Sequence, residues 1–276
     1  MLTINHVRTS KFNPRILLKS PQYICLRPHP LLKHFISNYS ITFPSNSLIP
    51  AGFTTIPDGC ATLAISKSSC GISISLDGPI AKPQIISGQF DYPEMSIAIE
   101  FKPAGLFALT GIDQNELAGQ TIGFDAASPA LSKRLTQAVE AASGIYELAQ
   151  SLDELLIDSI RDIQHPHLGL MLQNILASRG GISIKSLSVE SFYSERQLNR
   201  IFKQNVGLNA KAFSRLVRVN YALRLLKKPH DLMFISDTMG FFDLPHFIHD
   251  FKSVCGVTPQ EYRNDMSVFY SNPTKF

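Results

Sequence analysis

The sequence has few cysteines, and none of them is paired in a C-x-x-C spacing. Only four occur in 276 residues, widely scattered at Cys25, Cys60, Cys70 and Cys255. A disulfide framework or a zinc knuckle needs closely spaced cysteines, so this distribution argues against both. Cys25 with His29 and His34 has the residue types of a metal site, but it lacks a second cysteine. We expect buried, free thiols, no metal and no other cofactor.

Long apolar runs are also missing. No stretch of about eighteen uninterrupted apolar residues exists, and the opening MLTINHVRTSKF has no apolar segment long enough for a signal peptide. These absences predict a protein that has no membrane span and stays in the cytoplasm.

Recognised catalytic signatures are absent as well. There is no G-x-S-x-G, no H-E-x-x-H and no glycine-rich phosphate loop. Cys60 follows Asp58 closely, and with Glu100 in a later strand it has the residue types of a nucleophile and an acid. A buried cysteine after a Pro-Asp-Gly turn is the simpler interpretation. We therefore predict that the protein is not an enzyme.

Charge is modest, at 17% of residues and a net +4, but it is unevenly distributed. From His165 onward there are fourteen Lys and Arg against eight Asp and Glu, a balance of +6. The first 164 residues carry the remaining twelve basic and fourteen acidic residues, a balance of −2. Binding to a polyanion is therefore predicted for the C-terminal part of the chain.

The spacing of apolar residues and turn residues along the sequence predicts two domains and an α+β fold class. Segments 53–66, 71–80 and 95–105 have β-branched residues at strand spacing between Pro and Gly turn signals. After Pro129, apolar residues recur at helical intervals and predict two helices that close this β-rich domain: Leu131, Leu135, Val139, Leu148, Leu152, Leu155 and Leu156. The predicted organisation is a β-rich domain at 1–160, a linker at 161–169, a helical domain at 170–265 and a tail at 266–276.

One sequence motif occurs twice in the basic part of the chain. It appears as SERQLNRIFKQNVGLNAKAF from Ser194 and, in related form, as GFFDLPHFIHDFKSVCGVTPQEYR from Gly240. At an offset of 49 residues, five pairs correspond: Leu198 with Phe247, Phe202 with Phe251, Lys203 with Lys252, Gly207 with Gly256, and Phe213 with Tyr262. Each copy predicts a helix, a turn and a second helix.

The first copy contains signals for both of its helices. A helix is predicted over 183–192, with Phe192 on its apolar side, although less cleanly than the other apolar residues. Ser194 and Gln197 form a predicted capping box that starts the second helix, and Gly207 supplies its left-handed end. One face of this second helix has polar residues at i, i+3, i+4 and i+7: Arg196, Asn199, Arg200 and Lys203. Because arginine and asparagine can each make two hydrogen bonds to a base edge, this face is predicted to bind DNA.

In the second copy, Asp243 is the predicted N-cap and Pro245 is tolerated in the first helical turn. Between the copies, Lys211–Lys228 predicts one helix about 27 Å long at roughly 1.5 Å per residue, with apolar residues inward and basic residues outward. Such a helix is suited to hold two recognition helices about one turn of B-DNA apart, roughly 34 Å, so that both enter successive major grooves.

These residues resemble the DNA-binding domain of the AraC/XylS family of bacterial transcriptional regulators, over about one hundred residues from Leu170 to Arg263. The resemblance is carried by Gly207–Phe213, Arg218, Ala222–Leu226, Gly240-Phe241, Phe247, Phe251-Lys252 and Gly256–Arg263. It implies an all-α, seven-helix domain with two helix-turn-helix motifs and sequence-specific binding to operator or promoter DNA. Activation through contact with RNA polymerase is implied as well.

The resemblance also assigns DNA contacts by position. In the first recognition helix these are Arg196, Asn199 and Arg200, with Gln197 and Lys203 as further DNA-binding residues. In the second they are Leu244, His246 and His249, with Lys252 as a phosphate contact at the flank of the helix. Neutral histidines and a leucine attract DNA weakly, so we expect the first copy to provide most of the affinity.

Several positions depart from the family pattern. Phe192 replaces the turn glycine that is common in the first copy. Ser188 and Ser236 stand where alanine is favoured, and Leu244-Pro245-His246 replaces a more polar triplet.

The first half has a shorter resemblance, in Pro57–Cys60 and Phe101–Gly105, to a sensor domain found in some family members, with Ala104 in place of a Gly. It implies a small-molecule effector or a role in forming a homodimer. Two other classes remain open at this point. One is a module that binds DNA with little sequence preference, and the other is a DNA-repair methyl acceptor, which requires closely spaced cysteines that this sequence lacks.

Overall fold

The chain folds as two units, which a computed structural model describes at residues 2–43, 53–86, 93–161 and 167–265. The sheet unit comprises Met1–Leu48, Cys60–Gly78 and Gln89–Ile163, and the helical unit comprises Ile49–Gly59, Pro79–Gly88 and Gln164–Phe276. The predicted α+β fold class is confirmed. Most of the predicted linker at 161–169 and the tail at 266–276 lie outside the described residues.

Nine strands occur in the described part of the chain. They are β1 Ile16–Ser20, β2 Tyr23–Leu26, β3 Ile36–Thr42, β4 Phe53–Thr55, β5 Thr62–Ser68, β6 Gly71–Asp77, β7 Gln84–Ile86, β8 Met95–Phe101 and β9 Thr121–Gly123. Seven of them form one antiparallel sheet in the order β1-β2-β3-β8-β5-β6-β9, while β4 and β7 pair separately. The predicted strand segments therefore correspond to β4, β5, β6 and β8.

The core of the sheet unit lies between the sheet and helices that follow it in sequence. Strand β8 alternates buried and half-buried residues along its whole length, as expected of a strand with one covered face. The helices of this unit are α1 Ile4–Thr9, α2 Gly105–Thr110, α3 Gln114–Leu117, α4 Phe124–Ala127, α5 Pro129–Ala141 and α6 Ile145–Ile157. The predicted closing helices are α5 and α6, and six of their seven predicted core residues are buried, with Leu155 half-buried.

A buried carboxylate ties α6 to the strands. Asp153 accepts hydrogen bonds from the Tyr39 hydroxyl and the His29 backbone N–H, both at 2.9 Å, and lies 2.8 Å from the Arg15 guanidinium. Burial is the largest cause of the raised pKa of Tyr39, and the neighbouring Asp153 charge adds to it. Removal of Arg15 alone should destabilise the fold, because it leaves the buried Asp153 charge without its ionic partner.

The cysteines follow the sequence prediction with one exception. None of the four forms a disulfide, and Cys25, Cys60 and Cys255 are buried, but Cys70 is exposed because it lies in the turn between β5 and β6. Among the described residues, no group of three or more His, Cys, Asp or Glu is arranged to hold a metal ion. No helix in the described part is long and apolar enough to cross a membrane.

The described residues 167–265 form seven helices, as the resemblance implied. They are α7 Leu168–Ala177, α8 Ile184–Ser191, α9 Glu195–Val206, α10 Ala210–Leu226, α11 Leu232–Thr238, α12 Leu244–Cys255 and α13 Pro259–Asp265. Their core contains linked aromatic side chains, including the ring pairs Phe202–Phe213, Phe247–Phe251 and Phe251–Tyr262 with centroids 6.1, 5.8 and 5.7 Å apart.

The predicted connecting helix is α10. It has 17 residues and is therefore about 25 Å long. Its predicted inward residues are all buried, at 2% exposure or less: Phe213, Leu216, Val217, Leu223 and Leu226. The prediction that its basic residues point outward is wrong for Arg218. That guanidinium is half-buried, donates to the Gly180 carbonyl at 2.7 Å and lies 5.2 Å from the Phe241 ring centroid, and burial lowers its pKa.

Candidate nucleic-acid interface

The two sequence copies are structural copies. In the first motif (α8 and α9) and the second motif (α11 and α12), the second helix has 12 residues in each case. The five buried positions of α9 and α12 correspond at the 49-residue offset: Leu198 with Phe247, Ile201 with Asp250, Phe202 with Phe251, Asn205 with Val254, and Val206 with Cys255. Both helices end at a left-handed glycine, Gly207 with φ 81° and Gly256 with φ 79°. The predicted repeat is confirmed.

Helix α9 begins as its sequence predicts. The Ser194 hydroxyl accepts from the Gln197 backbone N–H at 3.3 Å, and the Gln197 side-chain oxygen accepts from the Ser194 N–H at 3.0 Å. This capping box satisfies two donors that the helix leaves free at its start. Gln197 is exposed, but its carbonyl oxygen is already engaged in the cap.

The exposed surface of α9 is basic. Arg196, Arg200 and Lys203 are exposed, and none of these three charged groups has a hydrogen-bond or ion-pair partner among the described residues. Asn199 is half-buried, and its Oδ1 accepts from the backbone N–H of Ala210, the first residue of α10, at 3.3 Å. A two-bond contact of Asn199 with a base would therefore require this bond to break. We call Arg196, Arg200 and Lys203 the basic row.

The corresponding surface of α12 is different. Leu244 is half-buried, and His246 has both ring nitrogens engaged. Its Nδ1 accepts from the Phe242 N–H at 3.4 Å, and its Nε2 lies 3.4 Å from Asp250 Oδ2. His249 is 78% exposed, with Nδ1 3.6 Å from Asp250 Oδ1. Of the residues predicted in this helix, His249 and Lys252 are the exposed ones.

Asp250 organises this second surface, and sequence reasoning did not single it out. It is buried in α12 at the position where α9 has Ile201, and Arg215 Nε of α10 lies 3.4 Å from its Oδ1. A buried carboxylate needs charged or hydrogen-bonding partners, and here it draws on the two histidines and Arg215. The 49-residue alignment contained the signal, since it places an acid opposite a core isoleucine.

The turns that precede α9 and α12 differ as well. Phe192 ends α8 in the left-handed conformation, φ 59°, and is 88% exposed, so its prediction on the apolar side of the helix is wrong. In the second motif the left-handed residue of the turn is Gly240, φ 67°. Ser188 donates to the Tyr193 carbonyl at 2.5 Å, whereas Ser236 is buried with its hydroxyl unpaired among the described residues.

Comparison with protein families matches residues 187–265 to a model described as a helix-turn-helix domain. Two curated relatives align in part with the chain. The uncharacterised HTH-type transcriptional regulator YisR of Bacillus subtilis is 34% identical over 86 residues, 31% of this chain and 30% of that protein. The HTH-type transcriptional regulator MtrA of Neisseria gonorrhoeae is 30% identical over 120 residues, 43% of this chain and 40% of that protein. The chain thus spans less than half the length of these relatives.

Solved structures with partial similarity include an AraC-type transcriptional regulator from Chromobacterium violaceum, which is 27% identical and covers 37% of this chain and 93% of that one, with a TM-score of 0.34. The C-terminal domain of the response regulator AraT from Geobacillus stearothermophilus is 24% identical, covering 36% of this chain and 85% of that one, with a TM-score of 0.35. ToxT from Vibrio cholerae is 13% identical, covering 78% and 95% respectively, with a TM-score of 0.43.

Proposed function

We propose that this chain recognises a specific operator through two motifs in successive major grooves. Its C-terminal domain belongs to the AraC-type helix-turn-helix DNA-binding transcription regulators. In this proposal α9 and α12 are the recognition helices and α10 sets their spacing. The observation that carries the proposal is the basic row on α9. Its three cations have no partner among the described residues, and they repeat along one helix face at a spacing that suits a groove.

The two helices have different roles in this proposal. Helix α9 supplies base contacts through Arg196 and Arg200, and it attracts phosphates through Lys203. Helix α12 contributes one phosphate contact through Lys252 and weak base contacts through His249, while Leu244 contacts a thymine methyl group or the shape of the groove. His246 positions the start of α12 through Asp250 and Phe242.

One observation favours a second candidate, a module that binds DNA with little sequence preference. Helix α12 has a single exposed Lys or Arg, Lys252, and His246 is engaged within the protein. A helix with so few free base-reading groups gives little discrimination between sequences. Binding would then depend on phosphate contacts and fall steeply with salt for every sequence alike.

For the sheet unit we propose an effector-binding role. A surface cavity of about 290 Å³ lies among α2, α5 and α6, and it is lined by Leu109, Leu131, Arg134, Asp158 and Arg161 together with smaller residues. Its size is near the lower end for small-molecule sites, and the Arg161 guanidinium suits a small acid, whereas Arg134 is already paired with Asp158 at 3.0 Å. Thermal-shift screening with small carboxylic acids tests this role, and the Arg161→Ala variant should lose any stabilisation found.

Selection of bound fragments from random duplexes with the full chain tests the central proposal. We expect one enriched motif with two half-sites about one helical turn apart. Competition with scrambled DNA should then weaken binding much less than competition with the selected duplex. Recovery of unrelated fragments with equal affinities would reject sequence-specific recognition and favour the second candidate.

Transcription assays on a template with the selected duplex test the finer claims. We expect activation through contact with RNA polymerase, seen as more transcript when the protein is added. Less transcript on the same template would make the protein a repressor. Sedimentation of the full chain, with and without the duplex, tests for a homodimer.

A further inference from the structure

A strand pair from the first half of the sequence belongs to the helical unit. Residues Ile49–Gly59 and Pro79–Gly88 group with the C-terminal helices, although the strands β5 and β6 between them in sequence belong to the sheet unit. Within these segments, β4 and β7 pair antiparallel, with Thr55 opposite Gln84, and the Thr55 hydroxyl donates to the Gln84 carbonyl at 3.2 Å. We call β4, β7, Pro83 and the residues from Ile56 to Gly59 the brace.

One end of the brace packs against the first motif and α10. Gly59 is buried, and a Cβ added to it would lie 3.0 Å from Leu216, 3.1 Å from Leu208 and 3.4 Å from Phe213. Leu208 lies between the end of α9 and the start of α10, whereas Phe213 and Leu216 lie within α10. The chain of the brace is therefore in van der Waals contact with the junction between α9 and α10.

A buried hydrogen bond reinforces this contact. Asn220 of α10 is 1% exposed, and its side-chain Nδ2 donates both to the Pro57 carbonyl at 3.0 Å and to the Leu216 carbonyl at 2.9 Å. Without the brace, an amide N–H on the apolar side of α10 would lose its partner, which is unfavourable for a buried donor. Asn220 is therefore matched to the brace and not only to its own helix.

Pro83, the residue of the brace that directly precedes β7, contacts the second motif. A Cβ added to Gly256, the residue that ends α12, would lie 3.0 Å from Pro83 Cγ. Gly256 is the counterpart of Gly207, 49 residues earlier, which ends α9 next to Leu208. The brace thus contacts the chain near the end of both predicted recognition helices, just after α9 in the first motif and at the end of α12 in the second.

From these contacts we infer that the β4–β7 brace is a second connection between the two helix-turn-helix motifs, in addition to α10, and that it fixes the spacing of their recognition helices. A helix that is joined to its neighbours only by turns and side-chain packing leaves each motif some freedom to shift. A brace that contacts the chain near the ends of both recognition helices removes that freedom and prepares both motifs for one duplex. This inference rests on the proposed function, since the spacing matters for two-groove binding.

The substitution Gly59→Ala tests the brace. It adds a Cβ against Leu216 and Leu208, and it strains the backbone, since Gly59 has φ +69°. Gly119→Ala is the matched control, because Gly119 has φ +74° and nothing within 4 Å of an added Cβ. Asn220→Ala is a second, independent variant that removes the bond to Pro57 without changing the backbone of the brace.

The first measurement compares two duplexes, the operator selected by the full chain and the same duplex with one half-site scrambled. We expect Gly59→Ala and Asn220→Ala to lower affinity for the complete operator about tenfold and to leave half-site affinity within about twofold, with Gly119→Ala unchanged on both. Equal losses on the two duplexes would mean that a motif itself is damaged, and unchanged affinities would mean that the brace does not fix spacing. Either result overturns the inference.

The second measurement needs no DNA. Hydrogen exchange in the full chain should speed up severalfold in both α10 and α12 in Gly59→Ala, although α12 is far from residue 59 in sequence, and should not change in Gly119→Ala. Unchanged exchange in α12 would overturn the inference even if DNA binding fell. Conversely, faster exchange in a chain that fails to prefer the complete operator would support the brace and reject the proposed function.

Discussion

The second helices of the two helix-turn-helix motifs are packed alike, and they differ in their exposed side chains. Helices α9 and α12 have the same length, the same buried positions and the same left-handed end. On the outside, α9 exposes three unpartnered cations among the described residues, whereas α12 exposes Lys252 and His249. The comparison teaches that the buried packing of a motif and its exposed side chains are separate features of a repeat, so that one can be preserved while the other changes.

The difference has a physical origin in one core position. Ile201 of α9 packs as an apolar residue, but its counterpart Asp250 in α12 is a buried acid. The carboxylate attracts His246, His249 and Arg215, which lie within 3.4 to 3.6 Å of it. His246, at the position where α9 has Gln197, thus makes contacts within the second motif through Asp250.

Truncation of a core ring should have the largest effect and should be similar in the two motifs. Phe202 and Phe251 are both fully buried, so Phe202→Ala and Phe251→Ala should each lower the free energy of unfolding by about 3 to 5 kcal/mol. Urea denaturation followed by circular dichroism measures this change. Phe12→Ala is the control, since Phe12 is 94% exposed and should cost little. A loss below about 1 kcal/mol for either ring would show that its motif is not packed as described.

Removal of a side chain that is predicted to contact bases should weaken DNA binding more in the first motif than in the second. Arg200→Ala should weaken binding to the selected duplex by about 1 to 3 kcal/mol and relax the preference at one base position, because an arginine can make two bonds to guanine. His249→Ala should cost less than about 1 kcal/mol, since a neutral ring makes weaker contacts. Fluorescence anisotropy measures both affinities, and Arg8→Ala, which removes an exposed arginine from α1, is the control. An equal loss on random DNA for Arg200→Ala would contradict base recognition.

Removal of a lysine that is predicted to contact phosphate should have a similar effect in the two motifs. Lys203 and Lys252 occupy equivalent exposed positions, so Lys203→Ala and Lys252→Ala should each reduce the slope of log affinity against log salt by about 0.9. Titrations at several salt concentrations measure the slope on the selected and the scrambled duplex. An unchanged slope for either variant removes that lysine from the phosphate contacts. Lys133→Ala, on α5, is the control.

Local patterns in the sequence predicted the helices of the two motifs and their ends, because each pattern reflects an interaction between residues that are close together in the sequence. A capping box, a left-handed glycine and apolar residues at helical spacing are all read within a few residues, and α9, α10 and α12 formed where these signals stood. The repeat strengthened each signal by showing it twice. The strands β5, β6 and β8 followed in the same way from alternation between turn residues.

Contacts between distant residues were beyond such patterns. Asn199 stood on the predicted DNA face, but its Oδ1 accepts from Ala210, and nothing at Asn199 itself indicates that partner. The Pro57–Gly59 turn was expected next to a buried cysteine, yet Pro57 accepts a hydrogen bond from Asn220, 163 positions later. Periodicity reveals which side of an element is buried, and it does not reveal what covers that side.

Substitutions in the turns that precede α9 and α12 should have smaller effects on stability. Phe192 holds a left-handed conformation that costs an L-residue about 1 to 2 kcal/mol, and its exposed ring recovers little of that cost by burial. Phe192→Gly should therefore raise stability by up to about 1 kcal/mol, after the greater freedom of glycine in the unfolded chain is counted. Gly240→Ala should lower stability by about 1 kcal/mol, although an added Cβ there has open space. Destabilisation by Phe192→Gly would mean that the ring has a packing role.

The smallest expected effect distinguishes how the helices after the two motifs are capped. Glu261 accepts from the Thr258 N–H at 2.7 Å at the start of α13, and this bond holds its pKa below the ordinary value of 4.5. A lowered folded pKa means that the contribution is present above the ordinary value and is lost as pH falls through the folded pKa. Asn209, the cap of α10, accepts from Ala212 at 2.8 Å and does not titrate. In NMR spectra recorded as pH falls from about 6 to about 3, the Thr258 amide should therefore shift while the Ala212 amide stays. Glu261→Gln should abolish the Thr258 shift, and movement of both amides together would instead indicate acid unfolding of the whole unit.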